Sequence, residues 1–172
     1  MTSADDTAPG DEAAERFDLA DADLSLASLF AGWALADALQ ARLAADGFGD
    51  LRFADGVVFQ HLVPGQLTIG ALAERLGVSQ QAASKSVADL ERRGYVRRSY
   101  DPADARARLV ELTDRGVAAI EGGRRHRAAL AGELSSQLGP RRVEAARRVL
   151  VDVVRELGGE GAVRGRRVRP PR

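Results

Sequence analysis

Residues 80 to 88 place Gln80, Gln81, Ser84, Lys85 and Ala88 on one side of a helix whose other side carries Ala83, Val87 and Leu90 at i, i+4, i+7 spacing. These are residue types that read base edges. Glutamine pairs with adenine through two hydrogen bonds, and lysine donates to guanine acceptors. The short Ser and Ala side chains allow close approach, with alanine suited to a thymine methyl. The face is polar yet nearly free of acids, which suits base reading more than bare charge attraction. An ordinary solvated helix face has the same composition, and by itself the stretch favours that plainer reading. The basic hairpin that follows changes the balance. An exposed arginine near the tip of a two-stranded ribbon is costly to order unless something negative waits for it, and duplex phosphates and the minor-groove potential supply that partner.

Charge placement points the same way. The chain of 172 residues carries 25 basic and 25 acidic side chains, so the total field is neutral. Residues 80 to 108, however, hold seven basic side chains (Lys85, Arg92, Arg93, Arg97, Arg98, Arg106, Arg108) against four acids (Asp89, Glu91, Asp101, Asp104). Polyanion binding depends on such local excess. The ends are polarised: residues 1 to 23 carry eight acids against Arg16, and residues 163 to 172 carry five arginines and no acid. The basic end either adds nonspecific nucleic-acid affinity or is a solvated tail. The acidic end is a candidate competitor for the basic surface.

The elements that position this face are legible from period and punctuation. Residues 1–20, poor in large apolar side chains, read as a disordered acidic tail. Leu26, Leu29, Phe30, Trp33, Ala36 and Leu43 define a long first helix over 21–50, ended by Gly47 and Gly49. A shorter helix runs from Arg52 to Leu62 with Phe53, Val57, Val58 and Leu62 inward, and Pro64-Gly65 stops it. Thr68 caps a helix over Ile69–Leu76. Gly77-Val78-Ser79 forms the break, and Ser79 caps the helix Gln80–Arg93, closed by Gly94. Alternation in Tyr95–Tyr100 and Arg108–Leu112 predicts a β-hairpin with Asp101–Ala105 between the strands. Thr113 caps a further helix carrying Val117, Ile120, Leu130, Leu134 and Leu138 on one side, with a polar interruption at Glu121–Arg127. Gly139-Pro140 opens a last helix with Val143, Ala146, Leu150, Val153 and Leu157 in 3-4 spacing. The expected fold is mostly α with a small β-hairpin wing (α+β): a winged helix-turn-helix over 51–115, terminal dimerisation helices from 21–50 and 116–158, and a basic tail over 159–172.

The run Leu67-Thr-Ile-Gly-Ala-Leu-Ala-Glu-Arg-Leu-Gly-Val-Ser-Gln-Gln-Ala-Ala-Ser-Lys, then Leu90-Glu-Arg-Arg-Gly-Tyr-Val, then Asp104-Ala-Arg, Val110-Glu-Leu-Thr and Gly116, resembles the MarR family of regulators. The layout of residues 21 to 158 resembles that family, with the specific motifs within 67 to 116. The resemblance implies a cytoplasmic bacterial transcription regulator, a repressor by preference, acting as a homodimer on a palindromic operator of double-stranded DNA. It places Ser79, Gln80, Gln81, Ser84 and Lys85 at the DNA-reading helix, Arg106 at the wing arginine, and Asp104 at the acid that orients nearby arginines. Arg108 departs from the apolar or small residue usual there, as an added phosphate contact or an exposed strand residue. The family also implies a small aromatic or amphipathic effector, for which Phe30, Trp33 and His61 are the candidate pocket residues; plain core or dimer packing is the other role for the two aromatics, and a satisfied helix position the other role for His61.

Dimerisation has its own argument. The Val143–Leu157 stripe and the long first helix expose more apolar surface than a winged domain of about 65 residues can cover, and a partner subunit is the economical cover. Folding back on the same subunit is the competing arrangement. The chain has no cysteine, which excludes disulfides, thiolate nucleophiles and thiol redox sensing. His61 and His126 stand apart with no ligand-spaced neighbours, so no metal or other cofactor is expected. No unbroken apolar run approaches the roughly 20 residues of a membrane span, and the acidic N-terminus lacks a secretory n-region, which reads as cytoplasmic. There is no Ser/His/Asp order in a recognisable setting, glycine-rich phosphate loop or tight carboxylate pair, so an enzyme is not expected. The rival reading is a winged-helix module for protein contact whose DNA face is idle.

Overall fold

The computed structural model describes residues 18–100 and 108–161. It divides into two compact units with the boundary between Ala34 and Leu35, inside the first long helix, and each is taken by itself. In the first unit the Asp18 carboxylate accepts from the Ala20 amide at 2.9 Å and starts a 3-10 turn over Leu19–Asp21, where the sequence suggested the end of a loose tail. The Asp23 carboxylate accepts from the Leu26 amide at 2.9 Å and opens α1, Leu24–Leu43. Phe30 and Trp33 pack edge to face with ring centroids 5.5 Å apart. Leu26, Leu29, Phe30 and Trp33, expected on the packing face of this helix, are exposed.

In the second unit α1 ends in a wide turn over Ala44–Phe48, where Gly47 takes φ 89°, a left-handed value that only glycine adopts without strain. α2 spans Asp55–Leu62 and buries Val58, Phe59 and Leu62. It begins later than the expected Arg52 because the Asp55 carboxylate accepts from the Arg52 amide at 2.8 Å and closes a separate turn there. Phe53, expected inward, is therefore exposed. A two-residue strand β1, Leu67–Thr68, follows; it was too short to show as alternation.

Thr68 caps α3, Ile69–Leu76, by accepting from Ala71 at 3.2 Å. Gly77, at φ 67°, terminates it, and Ser79 caps α4, Gln80–Arg92, by accepting from Ala82 at 3.1 Å. Strands β2, Val96–Tyr100, and β3, Arg108–Leu112, pair antiparallel from Val96 opposite Leu112 to Tyr100 opposite Arg108. β1 joins the other edge of β3, giving the order β1-β3-β2. α5, Asp114–Leu138, is continuous through the Glu121–Arg127 stretch that the sequence suggested as an interruption. No proline stands there, and Gly122 and Gly123 are buried, Gly122 facing Leu43 and Asp46, so polar character on one side does not break the backbone. Val117 and Leu138 are exposed. α6, Pro140–Glu156, has proline in its first turn and no buried residue.

The core of this unit joins Leu43, Phe59, Leu62, Leu72, Val87, Leu90, Tyr95, Val96 and Val110. Tyr95 is its hinge of polar contacts. Its hydroxyl donates to Asp50 Oδ1 at 2.5 Å, Arg115 Nη2 donates to Asp50 Oδ1 at 3.1 Å, and the Thr113 amide donates to the Tyr95 carbonyl at 3.0 Å. The Thr113 hydroxyl donates to Gly94 O at 2.6 Å while accepting from the Gly116 amide at 3.2 Å, so one side chain caps α5 and ties it to the end of α4.

Among the described residues, the helical stretch Leu24–Phe48, 25 residues with an apolar window of mean hydropathy 1.3 of which none is buried, is long and apolar enough by length and composition to cross a membrane. The run-based expectation passed over it because Asp37, Arg42 and Asp46 break the run while alanine and leucine hold up the mean. Two of those interruptions have partners within the second unit. Arg42 forms a two-pronged pair with Glu133, at 2.5 and 3.0 Å, and Asp46 lies 2.8 Å from His126 Nε2.

Candidate nucleic-acid interface

α4 separates its faces cleanly. Ala83, Val87 and Leu90 are fully buried. Gln80, Gln81, Lys85 and Ala88 are exposed on the opposite side and Ser84 is half-buried. The same five residues, with Ile69 of α3, line one shallow open surface, and none of the six is acidic. The face expected from spacing is thus one continuous surface. Ser79 stands at its N-terminal edge as the cap, so its hydroxyl is committed to the helix backbone.

The hairpin is fastened to this helix. Arg98 Nη2 donates to the Ser84 carbonyl at 3.2 Å, and the Arg98 amide donates to Glu91 Oε1 at 3.3 Å. Arg97 pairs across the ribbon with Glu111 at 2.8 Å, and the Arg108 guanidinium stacks 3.5 Å above the Tyr100 ring, its cross-strand partner. Arg108 is exposed. Asp104 and Arg106, the wing residues implied by the resemblance, lie outside the described residues.

Behind the helix sits a pairing system that sequence reasoning missed. Arg93 donates through Nη1 to Asp55 Oδ2 and through Nη2 to Asp89 Oδ2, each at 2.7 Å, and through Nη1 to the Asp50 carbonyl at 2.8 Å. Hydrogen bonding to Asp55 holds its charged form above the ordinary arginine range, against the cost of burial. Burial works against the Asp89 carboxylate, but its bond to Arg93 and the charges of Arg93, Arg52 and Arg92 together hold it below the usual range. The bond from Tyr95 leads in holding Asp50 below the usual range, burial opposing and Arg115 assisting. The Arg93–Asp55 partners stand 38 positions apart, so no local pattern announces them.

A mostly apolar cavity of about 250 Å3 lies within the second unit. Leu39, Leu43, Leu51, Phe53, Val57, Phe59 and Ile120 line it, with Gln40, Gln60, Arg52 and Arg127 as its polar members. His61 is buried but is not among its lining residues, and Phe30 and Trp33 belong to the first unit. Among the described residues no group of three or more His, Asp or Glu is suited to hold a metal ion.

The family model for the MarR family matches residues 61–107, which hold α3, α4, β2 and the hairpin segment. The matched segment is a winged helix-turn-helix similar to that family's, and it covers less than a third of the chain. Solved structures share that fold. MarR from E. coli matches with a TM-score of 0.57 at 24% identity, over 77% of this chain and 97% of that one. A mutant of MepR from S. aureus, bound to an oligodeoxyribonucleotide, matches with a TM-score of 0.57 at 20% identity, over 80% of this chain and 99% of that one. A riboflavin kinase from Thermoplasma acidophilum is 39% identical over 51 residues, 30% of this chain. The match spans only 22% of that curated relative's length, so its name carries no enzymatic reading over to this chain. The three-stranded sheet with flanking helices found here is the winged-helix arrangement those solved structures share.

Proposed function

We propose that this protein is a cytoplasmic transcription regulator that binds double-stranded DNA sequence-specifically as a homodimer on a palindromic operator, acting as a repressor. The observation that carries the reading is the acid-free surface of Gln80, Gln81, Ser84, Lys85 and Ala88, presented on a capped helix whose other side is locked in the core. A helix so held loses little freedom on entering a major groove, and its side chains match base-edge donors and acceptors. Arg106 and Asp104 serve the wing in this reading, and Arg108 adds positive charge at the base of the hairpin. The oligodeoxyribonucleotide bound to the MepR mutant is in keeping with a DNA partner.

The homodimer is supported by apolar side chains left uncovered on α6. Val149, Leu150, Val154 and Leu157 are exposed, Leu157 at 82%, and a second copy of the chain is the simplest cover. The effector reading is supported by the apolar cavity between α2 and α5, with Gln40, Gln60 and Arg127 available to orient a small aromatic or amphipathic ligand. Phe30 and Trp33 then serve packing, and His61 the core.

Selection from random duplex DNA tests the reading. It is expected to return a palindrome with half-sites about one helical turn apart. Recovery of no preferred sequence, with sedimentation giving a monomer at micromolar concentration, would replace it with a protein-contact role for the winged helix.

A further inference from the structure

Beside the reading face, on the flank of α4 that looks toward the start of α2, lies a second groove. It is lined by Arg52, Ala54, Asp55, Lys85, Ser86, Ala88, Asp89 and Arg92, and it shares Lys85 and Ala88 with the reading face, so the two surfaces are continuous. Its charge arrangement is unusual. Asp89 receives three guanidinium groups: Arg93 at 2.7 Å, Arg52 at 3.2 Å, and Arg92. Arg93 is 11% exposed and is shared with Asp55 at 2.7 Å, which makes it the internal neutraliser of this pair of acids. Arg52 and Arg92 are 67% and 73% exposed. With Lys85 they make four cations around two carboxylates, and the surplus positive charge sits on the solvent side.

A single carboxylate already satisfied from within cannot discharge two further arginines. It can hold their guanidinium groups in place while leaving most of their donors directed outward. The floor between them is made of Ala54, Ser86 and Ala88, small residues that leave room for a tetrahedral oxyanion to approach, with the Ser86 hydroxyl as an added donor. Continuity with the reading face then fixes the source of that anion. A major groove entered by Gln81 and Lys85 is bordered by a sugar-phosphate strand, and the border on this side crosses the C-terminal half of α4.

We propose that Arg52 and Arg92, pre-positioned by Asp89, form a phosphate-binding shelf for the DNA strand that flanks the groove read by α4. The proposal rests on the DNA-binding reading above and adds residues from outside the reading helix face. The shelf carries no sequence information. It sets the angle and depth at which α4 enters, as backbone contacts do.

The test is the salt dependence of binding, measured by fluorescence anisotropy with the selected operator duplex and with a random-sequence duplex. Each phosphate contact adds about 0.9 to the slope of log affinity against log salt on B-form DNA. The variant carrying R52Q and R92Q is expected to lose about 1.8 from that slope on both duplexes, so that its affinity drop between about 50 and 200 mM salt is roughly tenfold smaller than the parent's. Its preference between the two duplexes is expected to stay as in the parent. The charge-conserving pair R52K and R92K is expected to restore most of the slope. If the double variant fails to fold by thermal melt, R92Q alone, at the more exposed position, is expected to lose about 0.9. An unchanged slope in a folded variant that still binds the operator overturns the shelf and leaves the reading face standing. A parent protein that binds neither duplex overturns both.

Discussion

The guanidinium of Arg93 donates to Asp55 Oδ2 at 2.7 Å, with the two side chains 11% and 12% exposed, and so joins the end of the reading helix to the start of α2. Removing one member of such a pair leaves the other charged in a dry site. Arg93→Ala is expected to cost about 3 to 5 kcal/mol, because Asp55 and Asp89 lose their shared cation together. Urea unfolding of the parent and variant reads this directly; a cost below about 1 kcal/mol, the scale of a surface pair, would show that water or Arg52 takes over the role.

Two glycines of α5 are expected to respond with opposite signs to the same change. A Cβ at Gly116 would sit 2.2 Å from the Tyr95 carbonyl oxygen, so Gly116→Ala must push apart α5 and the strand entry and is expected to destabilise by about 1 to 3 kcal/mol. A Cβ at Gly132 meets nothing within 4 Å, and Gly132→Ala is expected to stabilise by about 0.5 to 1 kcal/mol through helix propensity alone. Thermal melts of the pair separate close approach from backbone freedom.

Acid sensitivity follows from Asp50. The Tyr95 hydroxyl and Arg115 hold its carboxyl below the ordinary value of 3.8 in the folded chain. A folded-state value below the unfolded one means that the unfolded chain takes up the proton first. The stabilisation is therefore complete above the ordinary carboxylate range and is lost as pH falls through it toward the folded value. The urea midpoint is expected to hold steady down to about pH 5 and then decline. Tyr95→Phe removes the leading donor and is expected to flatten that decline; an equally steep decline would assign it to other carboxylates, such as Glu144, which Arg147 and Arg148 hold down at about 2.

The proposed wing and reading helix divide the binding energy by kind. Arg106→Ala is expected to weaken operator binding by about 1 to 3 kcal/mol with folding intact. Lys85→Ala is expected to change which base is preferred at one position of each half-site, since a side chain at a base edge discriminates where a phosphate contact does not. Anisotropy titrations at matched salt, on the operator and on single-base variants, check both. A loss for Lys85→Ala that is uniform across sequences would move that lysine to the phosphate class.

Much of the scaffold was readable because it is written in local chemistry. Thr68, Ser79 and Thr113 each accept from the backbone three residues on, and Pro140 opens α6, so every one of these boundaries rests on a short-range contact. The exposed side of α4 was readable for a related reason: burial of Ala83, Val87 and Leu90 dictates what remains outside. Other features depend on partners far along the chain. The start of α2 shifted because of Asp55, which also anchors Arg93, and that left Phe53 exposed. β1 exists because Leu67 and Thr68 meet Val110 and Leu109, not because two residues can show a period. Arg98 and Arg93 counted in the sequence only as positive charge, whereas their guanidinium groups are engaged inward with Ser84, Glu91, Asp55 and Asp89. The cavity is assembled from α1, α2 and α5 by contacts distant in sequence, and none of Phe30, Trp33 and His61 is among its lining residues.

The hydroxyl of Thr113 works in two directions, giving its proton to the carbonyl of Gly94 and its lone pair to the amide of Gly116. One atom thus rivets the last residues of the reading helix to the first turn of α5. Since Ala119, Ile120 and Gly123 further along α5 form part of the cavity wall, one oxygen is the polar link by which the helix that walls the cavity is joined to the chain leaving α4.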